Sequence, residues 1–259
     1  MARRRFYAPP DKIEGSIVNL SSDETHHLMH VLRMTPGDDA FVFDGCGKEY
    51  RCSFRGFKDN LAQLEVKDLL NDVIESPLEI TLAQGLAKGE KFEFIVQKAT
   101  ELGVRRIVPL ATRYAEVKPT SDQIPKKLDR WRRISLEAMK QSGRRTLVEI
   151  LAPRTVREFL SEDTHTPASR THRVWLLFNP RDGLSVDAAL GAVSKSCPIA
   201  ALIGPEGGWS DEELTLLSEA GCKSVSLGPR VLRTETAAVA AITLIQHTIG
   251  DISRRASSQ

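Results

Sequence analysis

Residues 199–210 read Ile-Ala-Ala-Leu-Ile-Gly-Pro-Glu-Gly-Gly-Trp-Ser, an apolar run followed by a loop with three glycines in five residues. The apolar run predicts a buried strand, and Ser210 with Glu213 forms the capping-box pattern that begins a helix. Glycines let a backbone approach a ligand closely, and ligands of parallel α/β sheets bind beyond the carboxyl ends of the strands. The loop matches neither the dinucleotide fingerprint nor the P-loop. It is therefore either a site for another kind of ligand or a structural tight turn.

A second loop of the same kind leaves the next predicted strand. Residues 227–237 read Leu-Gly-Pro-Arg-Val-Leu-Arg-Thr-Glu-Thr-Ala and enter a predicted helix, which Thr234 or Thr236 can cap. Two strand-end loops in one sheet favour one shared pocket over two independent turns. Arg233 and Glu235 are expected at the mouth of this pocket. The alternative is that these two residues only form an ion pair on the surface.

Strand and helix patterns alternate from residue 78 onward. The predicted strands are 78–83, 106–110, 174–178, 199–203 and 224–227. The predicted helices are 92–102, 126–142, 211–220 and about 235–249. This alternation predicts an α/β domain with a mainly parallel sheet. A polar loop is expected at 162–171 and a disordered tail at 253–259.

The N-terminal region has a different pattern, with short alternating strands. Its predicted elements are strands at 40–43, 50–54 and 61–66, a turn at 44–47 and a helix at 23–32. A polar stretch that ends in Pro77 follows. We therefore predict a small β-rich domain over 1–72 and an α/β domain over 73–259.

The formal net charge of +2 conceals an uneven distribution. Counted from the sequence, residues 1–72 carry −2, residues 73–155 carry +6 and residues 156–259 carry −2. Eight basic residues fall within 126–145, and arginines beyond the predicted helix end suit phosphate contact. The alternatives are a solvated helix face and charges that complement the helix dipole. The small overall charge excludes a protein that coats nucleic acid indiscriminately.

Other classes of protein are disfavoured by what the sequence lacks. Its four cysteines form no C-x-x-C pair, so neither a zinc knuckle nor a dithiol redox site is expected, and we predict a reducing, cytoplasmic setting. No stretch of about 20 apolar residues predicts a membrane span, and the basic N-terminus leads into prolines rather than the apolar region of a secretory signal. His26 and His30 have helical spacing, but no third ligand is adjacent, so no metal is expected.

Several motifs together resemble the RsmE family, the small-subunit ribosomal RNA methyltransferases that form N3-methyluridine in 16S rRNA. The matching residues are Lys88-Gly89, Gln97-Lys98-Ala99-Thr100-Glu101-Leu102-Gly103-Val104, Gln141-Ser142-Gly143-Arg144, Gly204-Pro205-Glu206-Gly207-Gly208, Leu232-Arg233-Thr234-Glu235-Thr236-Ala237, and His27-Leu28 with Val31-Leu32-Arg33. The resemblance spans nearly the whole chain. Two features depart from the family pattern, namely Lys140, where an acidic residue is expected, and a long loop at 161–173.

The resemblance implies a C-terminal α/β SPOUT (trefoil-knot) methyltransferase domain and an N-terminal PUA-like RNA-binding β-barrel. It further implies S-adenosyl-L-methionine as cofactor, 16S rRNA of the small ribosomal subunit as partner, and a homodimer. The residues that it assigns to the cofactor are Phe178, Ile203, Gly204, Pro205, Gly208, Leu227, Gly228, Leu232 and Ala237. The residues expected to contact RNA are Arg3, Arg4, Arg33, Lys88, Gln141, Ser142 and Arg144. Phosphate contacts are expected from the segment 126–145 and from Arg3–Arg5.

Two residues are candidates for catalysis in such an enzyme. We expect Arg233 to stabilise negative charge on a uracil oxygen or to anchor the nucleotide. Glu235 would accept the N3 proton or orient Arg233. Two alternatives are a non-catalytic RNA-binding or ribosome assembly factor, and a SPOUT methyltransferase that acts on another RNA or on a ribose 2′-hydroxyl.

Overall fold

The computed structural model describes residues 3–163, 173–179 and 183–252, so most of the predicted loop at 162–171 and all of the tail at 253–259 lie outside it. The chain divides into a first unit, Met1–Glu75 with Met139–Leu147, and a second unit, Ser76–Ala138 with Val148–Gln259. The predicted boundary after residue 72 remains a prediction, and the inclusion of 139–147 in the first unit was not predicted. Among the described residues, no helix combines the length and apolarity that a membrane crossing requires.

The first unit contains a six-stranded sheet within the described residues. Its strands are β1 (Arg5–Tyr7), β2 (Ile13–Glu14), β3 (Ile17–Asn19), β4 (Asp39–Phe43), β5 (Glu49–Lys58) and β6 (Leu61–Leu70), in the order β1-β4-β5-β6-β3-β2. Only β1 and β4 are parallel neighbours. The three predicted strands are confirmed as parts of β4, β5 and β6. The other three were missed because two or three residues are too few to display an alternation.

A hairpin and a short helix close the core of the first unit. Asp59 and Asn60 join β5 to β6 with φ of 50° and 63°, the left-handed conformation that a two-residue hairpin turn favours. The predicted helix at 23–32 is an α-helix, α1 (Ser22–His26), that continues as one π-helical turn over His27–Val31. This turn buries Leu28 in the core.

The second unit is built on a parallel sheet, as predicted. Its strands are β7 (Ile80–Gly85), β8 (Arg106–Leu110), β9 (Glu149–Ile150), β10 (Val174–Phe178), β11 (Ile199–Ile203) and β12 (Lys223–Val225), in the order β12-β10-β11-β7-β8-β9. Every pairing between these strands is parallel. β7 lies two residues later than the predicted strand at 78–83, and it includes Gln84, which is polar but fully buried. The predicted strand at 224–227 likewise begins one residue earlier and ends at Val225.

Successive side chains of this sheet enter two separate cores. In β11, Ile199, Ala201 and Ile203 join one hydrophobic cluster, whereas Ala200 and Leu202 join the other. Both faces are covered, which explains why these strands are apolar throughout. The helices are α2 (Lys91–Glu101), α3 (Ile124–Ser142), α4 (Val156–Asp163), α5 (Val186–Leu190), α6 (Asp211–Glu219) and α7 (Thr234–Thr248). The four predicted helices correspond to α2, α3, α6 and α7, whereas the shorter α4 and α5 were not predicted.

Candidate active site

The carboxyl ends of four neighbouring strands lie level with one another. Phe178 of β10 is in register with Val225 of β12 and with Ile203 of β11, which in turn pairs with Gln84 of β7. Both glycine-containing loops therefore begin from the same edge of the sheet. The predicted capping box is confirmed at the start of α6, where Ser210 accepts from the Glu213 backbone N–H and the Glu213 carboxylate accepts from the Ser210 backbone N–H.

The two loops line one cavity of about 570 Å³ at this edge. Its lining residues are Lys91, Phe178, Ile203, Gly204, Pro205, Glu206, Gly208, Trp209, Val231, Leu232, Arg233, Thr234 and Ala237. A smaller cavity of about 50 Å³ shares Phe178, Leu232 and Ala237 and adds Leu227 and Gly228 among others. All nine residues expected to bind cofactor thus line these two cavities. The structure brings them together, while their role stays a prediction.

Buried polar contacts fasten the second loop to the first. The Thr234 hydroxyl donates to the Gly204 carbonyl at 2.6 Å and accepts from Gln84 Nε2 at 2.9 Å. Gly85 allows the strand to approach still closer, because a Cβ at this position would lie 2.5 Å from the Pro205 nitrogen. The floor of the cavity is therefore held by β7, the first loop and the start of α7 together.

The mouth of the cavity carries a cluster of charged groups. Glu206 accepts from the Lys91 ammonium at 2.7 Å and from the Lys88 backbone N–H at 3.3 Å. Burial raises the pKa of Glu206, but hydrogen bonds from Lys91 and from backbone N–H groups outweigh burial and hold the pKa below its ordinary value. The same hydrogen bond raises the pKa of Lys91. Glu206 is thus ionised at neutral pH and held beside the cavity.

The two predicted catalytic residues flank the start of α7. Arg233 is exposed and precedes the helix in an extended conformation, and it lines the cavity. Glu235 lies in the first helical turn, and its Oε2 is buried without a hydrogen-bond partner among the described residues. No ion pair between the two side chains is present in the described part of the chain. The alternative interpretation, a surface ion pair between Arg233 and Glu235, is therefore not supported by the described residues.

Most of the predicted RNA-contacting residues are accessible. Arg3 and Arg4 are exposed, and Arg3 stacks on Phe41 with 4.8 Å between the guanidinium carbon and the ring centroid. The other exposed members of the set are Arg33, Lys88 and Gln141. Ser142 is half-buried, and its hydroxyl has no hydrogen-bond partner in the described residues.

Arg144 differs from this expectation because it is buried within the first unit. Its guanidinium donates twice to Glu75, at 3.0 Å and 2.9 Å, and only 3% of the residue is exposed. Burial raises the pKa of Glu75, but Arg144 and the backbone N–H groups of Arg145 and Thr146 together hold it below its ordinary value. The side chain of Arg144 therefore closes a structural ion pair and is not available to a phosphate.

Arg5 lies at the centre of this buried polar network. Its guanidinium donates to Glu49 at 2.6 Å and to the backbone carbonyls of four residues at and beyond the end of α3. Those residues are Met139, Lys140, Gly143 and Arg144. The last carbonyls of a helix lack intrahelical partners, so Arg5 adds hydrogen bonds where the helix supplies few. The Met139 carbonyl also accepts from the Gly143 backbone N–H. Arg5 is a structural residue, unlike its exposed neighbours Arg3 and Arg4.

Lys140, the departure from the family pattern, also has a partner in the first unit. Its ammonium lies 2.7 Å from the Glu24 carboxylate, and both side chains are largely buried. The basic residue thus compensates a buried acid on α1.

Several residues of the site were not among those predicted. Lys91, Trp209 and Thr234 line the cavity, and Gln84 holds its floor. Glu206 and Thr234 lie inside the quoted motifs and could have been selected there. Gln84 and Lys91 carry no local signal, because their roles arise from contacts with residues more than a hundred positions away.

The charged residues of the described chain form no metal site. No group of three or more histidine, cysteine, aspartate or glutamate side chains within residues 3–163, 173–179 and 183–252 could hold a metal ion. The rings of His26 and His30 lie 4.4 Å apart, centroid to centroid.

Comparisons with known proteins match both units. Residues 74–246 match the family model of an RNA methyltransferase domain, and residues 20–67 match that of an RNA methyltransferase PUA domain. The ribosomal RNA small subunit methyltransferase E of Synechocystis sp. is 36% identical over 95% of this chain and 77% of its own length. The protein of the same name from Bacillus subtilis is 29% identical over 90% of this chain and 91% of its own length.

Solved structures agree with these matches. A methyltransferase of Legionella pneumophila, in complex with the bound cofactor SAM, has a TM-score of 0.87 and 35% identity, covering 97% of this chain and 100% of that one. The ribosomal RNA small subunit methyltransferase E of Neisseria gonorrhoeae, bound to S-adenosyl methionine, has a TM-score of 0.85 and 33% identity. The match covers 96% of this chain and 99% of that one. The predicted fold class is confirmed as an α/β RNA methyltransferase domain with an N-terminal PUA-like domain, and the trefoil knot stays an expectation from the family resemblance. The chain belongs to the ribosomal RNA small subunit methyltransferase E family.

Proposed function

We propose that this protein transfers a methyl group from S-adenosyl-L-methionine to N3 of a specific uridine in 16S rRNA. The observation that carries the proposal is the cavity at the carboxyl edge of the parallel sheet. Every residue that the family resemblance assigns to the cofactor lines this cavity or its smaller neighbour. Arg233, a charged group suited to the chemistry, lines the same space, and Glu235 follows it by two residues.

The cavity suits S-adenosyl-L-methionine in size and chemistry. Its volume of about 570 Å³ lies within the usual range for small-molecule sites. Phe178, Ile203, Leu232 and Ala237 offer apolar walls to the adenine. The indole N–H of Trp209 is buried without a partner among the described residues, so a polar group of a ligand can accept from it. When bound, the cofactor supplies an electrophilic sulfonium methyl group.

The chain's own residues must prepare the uracil for this methyl group. The N3 lone pair becomes available only when the N3 proton leaves, and the partly buried Glu235 carboxylate is the group that we assign to accept that proton. Arg233 stabilises the negative charge that then spreads to the uracil oxygens. The new N3–carbon bond forms as the carbon–sulfur bond breaks, and the bonding pair leaves with the sulfur as S-adenosylhomocysteine.

Glu235 has a second possible role, in which it orients Arg233 and water takes the proton. A pH profile separates the two roles. If Glu235 is the proton acceptor, Glu235→Gln makes kcat rise with pH more steeply than in the wild type, because hydroxide must then remove the N3 proton. If it only orients Arg233, the variant lowers kcat at all pH values and keeps the shape of the profile.

The substrate side of the proposal rests on the exposed basic residues. Arg3, Arg4, Arg33 and Lys88 are exposed cations, and we assign them to phosphate contacts, which position a nucleic acid without reading its sequence. Gln141 and Ser142 are proposed to hold the target nucleotide. We further propose that the protein acts on the small ribosomal subunit in the cytoplasm as a homodimer, and light scattering of the purified protein tests the dimer.

The decisive experiment is methylation of small ribosomal subunits from a strain that lacks the endogenous activity, followed by mass spectrometry of the rRNA nucleosides. One new 3-methyluridine per subunit is expected, and Arg233→Ala should form it roughly 10²-fold more slowly or slower still. A 2′-O-methylated product would assign the protein to another SPOUT chemistry. Absence of S-adenosyl-L-methionine binding in calorimetry would instead favour a non-catalytic RNA-binding or assembly factor.

A further inference from the structure

A second cavity, of about 460 Å³, lies at the carboxyl end of β8 and is separate from the site described above. Its lining includes Thr112, Arg113, Lys118, Ile124 and two prolines, Pro119 and Pro153. The motifs that resemble the family include none of these residues. We refer to it as the β8-end cavity.

The groups around the β8-end cavity are those that bind an anion. Arg113 and Lys118 are exposed cations, and Lys118 has no ionic partner in the described residues. Ile124 is the first residue of α3, a helix of 19 residues, and a helix N-terminus attracts negative charge through its free N–H groups. Arg113, Lys118 and the N-terminus of α3 therefore line the same cavity.

Thr112 supplies an independent sign of a missing ligand. The residue is only 2% exposed, and its hydroxyl makes no hydrogen bond within the described residues. A buried hydroxyl without a partner is uncommon because it loses its hydrogen bonds to water without replacement. Thr112 lines the β8-end cavity, so a rotation about its χ1 bond would bring the hydroxyl to a ligand oxygen there and satisfy it.

No carboxylate is among the described residues that line the β8-end cavity. Glu116 lies 3.0 Å from the Lys88 ammonium, and Glu213 accepts from the backbone N–H groups of Arg113 and Ser210. Glu212 is within electrostatic reach of Arg113, which leaves Lys118 as the freer of the two cations. Asp122, the acidic residue nearest in sequence to the start of α3, does not line the cavity.

The loop after β8, which lines the β8-end cavity, contacts the loop at 204–210 that lines the candidate active site. We call the loop at 204–210 the active-site loop. Glu213 bridges the two loops, since its carboxylate accepts from Arg113 at 2.9 Å and from Ser210 at 2.9 Å. A Cβ on Gly207 would lie 2.7 Å from the Tyr114 Cβ, so the two loops are in close contact. An anion bound at the β8-end cavity is therefore fixed in position relative to the active site.

We propose that the β8-end cavity binds a backbone phosphate of the RNA strand whose uridine enters the active site. The inference deepens the proposed function and rests on it for the identity of the strand. A phosphodiester carries one negative charge and free oxygens, which match two cations, a hydroxyl donor and a helix N-terminus. The contact would set the position of the strand and would not read its sequence.

The first test compares Lys118→Gln with Lys195→Gln, two exposed lysines that lose the same charge. Binding to small ribosomal subunits is measured at several salt concentrations, and S-adenosyl-L-methionine binding is measured alongside. We expect Lys118→Gln to weaken subunit binding about tenfold. Its salt slope should fall by roughly 0.7 to 0.9, the value for one lost phosphate contact. Lys195→Gln should match the wild type, and cofactor binding should not change in either variant.

Thr112→Val provides a test that a structural role cannot imitate. Valine has the shape of threonine, and the hydroxyl that it removes has no partner in the described residues. The variant should therefore unfold at the same or a higher temperature than the wild type, yet bind subunits several-fold more weakly. A loss of stability with unchanged subunit binding would show that the hydroxyl is structural and would overturn the proposal.

The remaining outcomes separate this inference from the proposed function. If the wild type forms 3-methyluridine but both variants bind subunits as Lys195→Gln does, the β8-end cavity is not an RNA contact and the enzyme assignment stands. If no 3-methyluridine forms but the variants weaken binding, the cavity is an RNA contact and the assigned chemistry is wrong. If inorganic phosphate binds and the variants change only its affinity, the ligand is a free anion and the RNA contact is refuted.

Discussion

Replacing Gly85 with alanine is expected to damage cofactor binding more than it damages the fold. The added Cβ would lie 2.5 Å from the Pro205 nitrogen and 2.9 Å from the Gly204 carbonyl carbon, where ordinary contact begins at 3.4 Å. These atoms belong to backbone and cannot rotate away, so the active-site loop must move by nearly 1 Å. Such overpacking costs about 1–3 kcal/mol. If the displacement falls on the loop, affinity for S-adenosyl-L-methionine drops by roughly 5- to 150-fold.

Calorimetry with S-adenosyl-L-methionine and urea unfolding together test this reasoning. Gly191→Ala is the matched control, because its new Cβ meets only the Asp187 carbonyl at 3.1 Å, away from the cavity. The control should bind cofactor as the wild type does. Wild-type affinity in Gly85→Ala, with the fold intact, would mean that the loop position does not determine the cofactor site.

Three further predictions concern the buried network and the catalytic groups. Arg5→Ala should lower the free energy of unfolding by about 3–5 kcal/mol in urea, since it breaks the buried ion pair with Glu49, which then keeps only Arg145 among the described residues, and removes four hydrogen bonds to backbone carbonyls; Arg4→Ala, at an exposed site, should change it little. The pKa of Glu75 is lowered in the folded chain, so its stabilisation is present above the unfolded pKa of about 4.3 and is lost as the pH falls through the lower folded value. Glu75→Gln should therefore flatten the acid limb of the stability curve, and an unchanged limb would contradict this. Arg233→Ala should lower kcat by roughly 10²-fold or more in the methylation assay and leave the affinity for S-adenosyl-L-methionine unchanged. If kcat and cofactor affinity fall by the same factor, Arg233 has a structural role.

The sequence predicted those features of the fold that depend on local pattern. Five strands of the parallel sheet and its four longer helices follow from apolar runs and helical periodicity. The capping box at Ser210 is a contact over three residues, and it was found for the same reason. The two loops could be placed in one pocket because parallel strands put their carboxyl ends at the same edge.

Features that depend on distant partners were not predicted. Arg5 and Arg144 lie in basic stretches that suggest a solvated or RNA-binding surface, yet both are buried. Their burial is possible because Arg5 pairs with Glu49 and Arg144 pairs with Glu75. These partners lie 44 and 69 residues away in sequence, so no local pattern predicts the pairs. The predicted strand at 78–83 stopped before Gln84 for the same reason, since the partner that allows this polar residue to be buried, Thr234, is 150 residues away.

The participation of residues 139–147 in the first unit has a consequence for the order of synthesis. A growing chain completes β1 to β6 early, but Arg5 can bind the carbonyls of Met139 and Gly143 only after residues 76–138 of the second unit have been made. Until then, Arg5 and Glu49 have each other but lack their remaining partners. The N-terminal unit is therefore expected to stay incomplete during translation and to reach its final form only after the segment at 139–147 has left the ribosome. A fragment that ends at residue 75 is missing a part of its own core network, however well its strands pair.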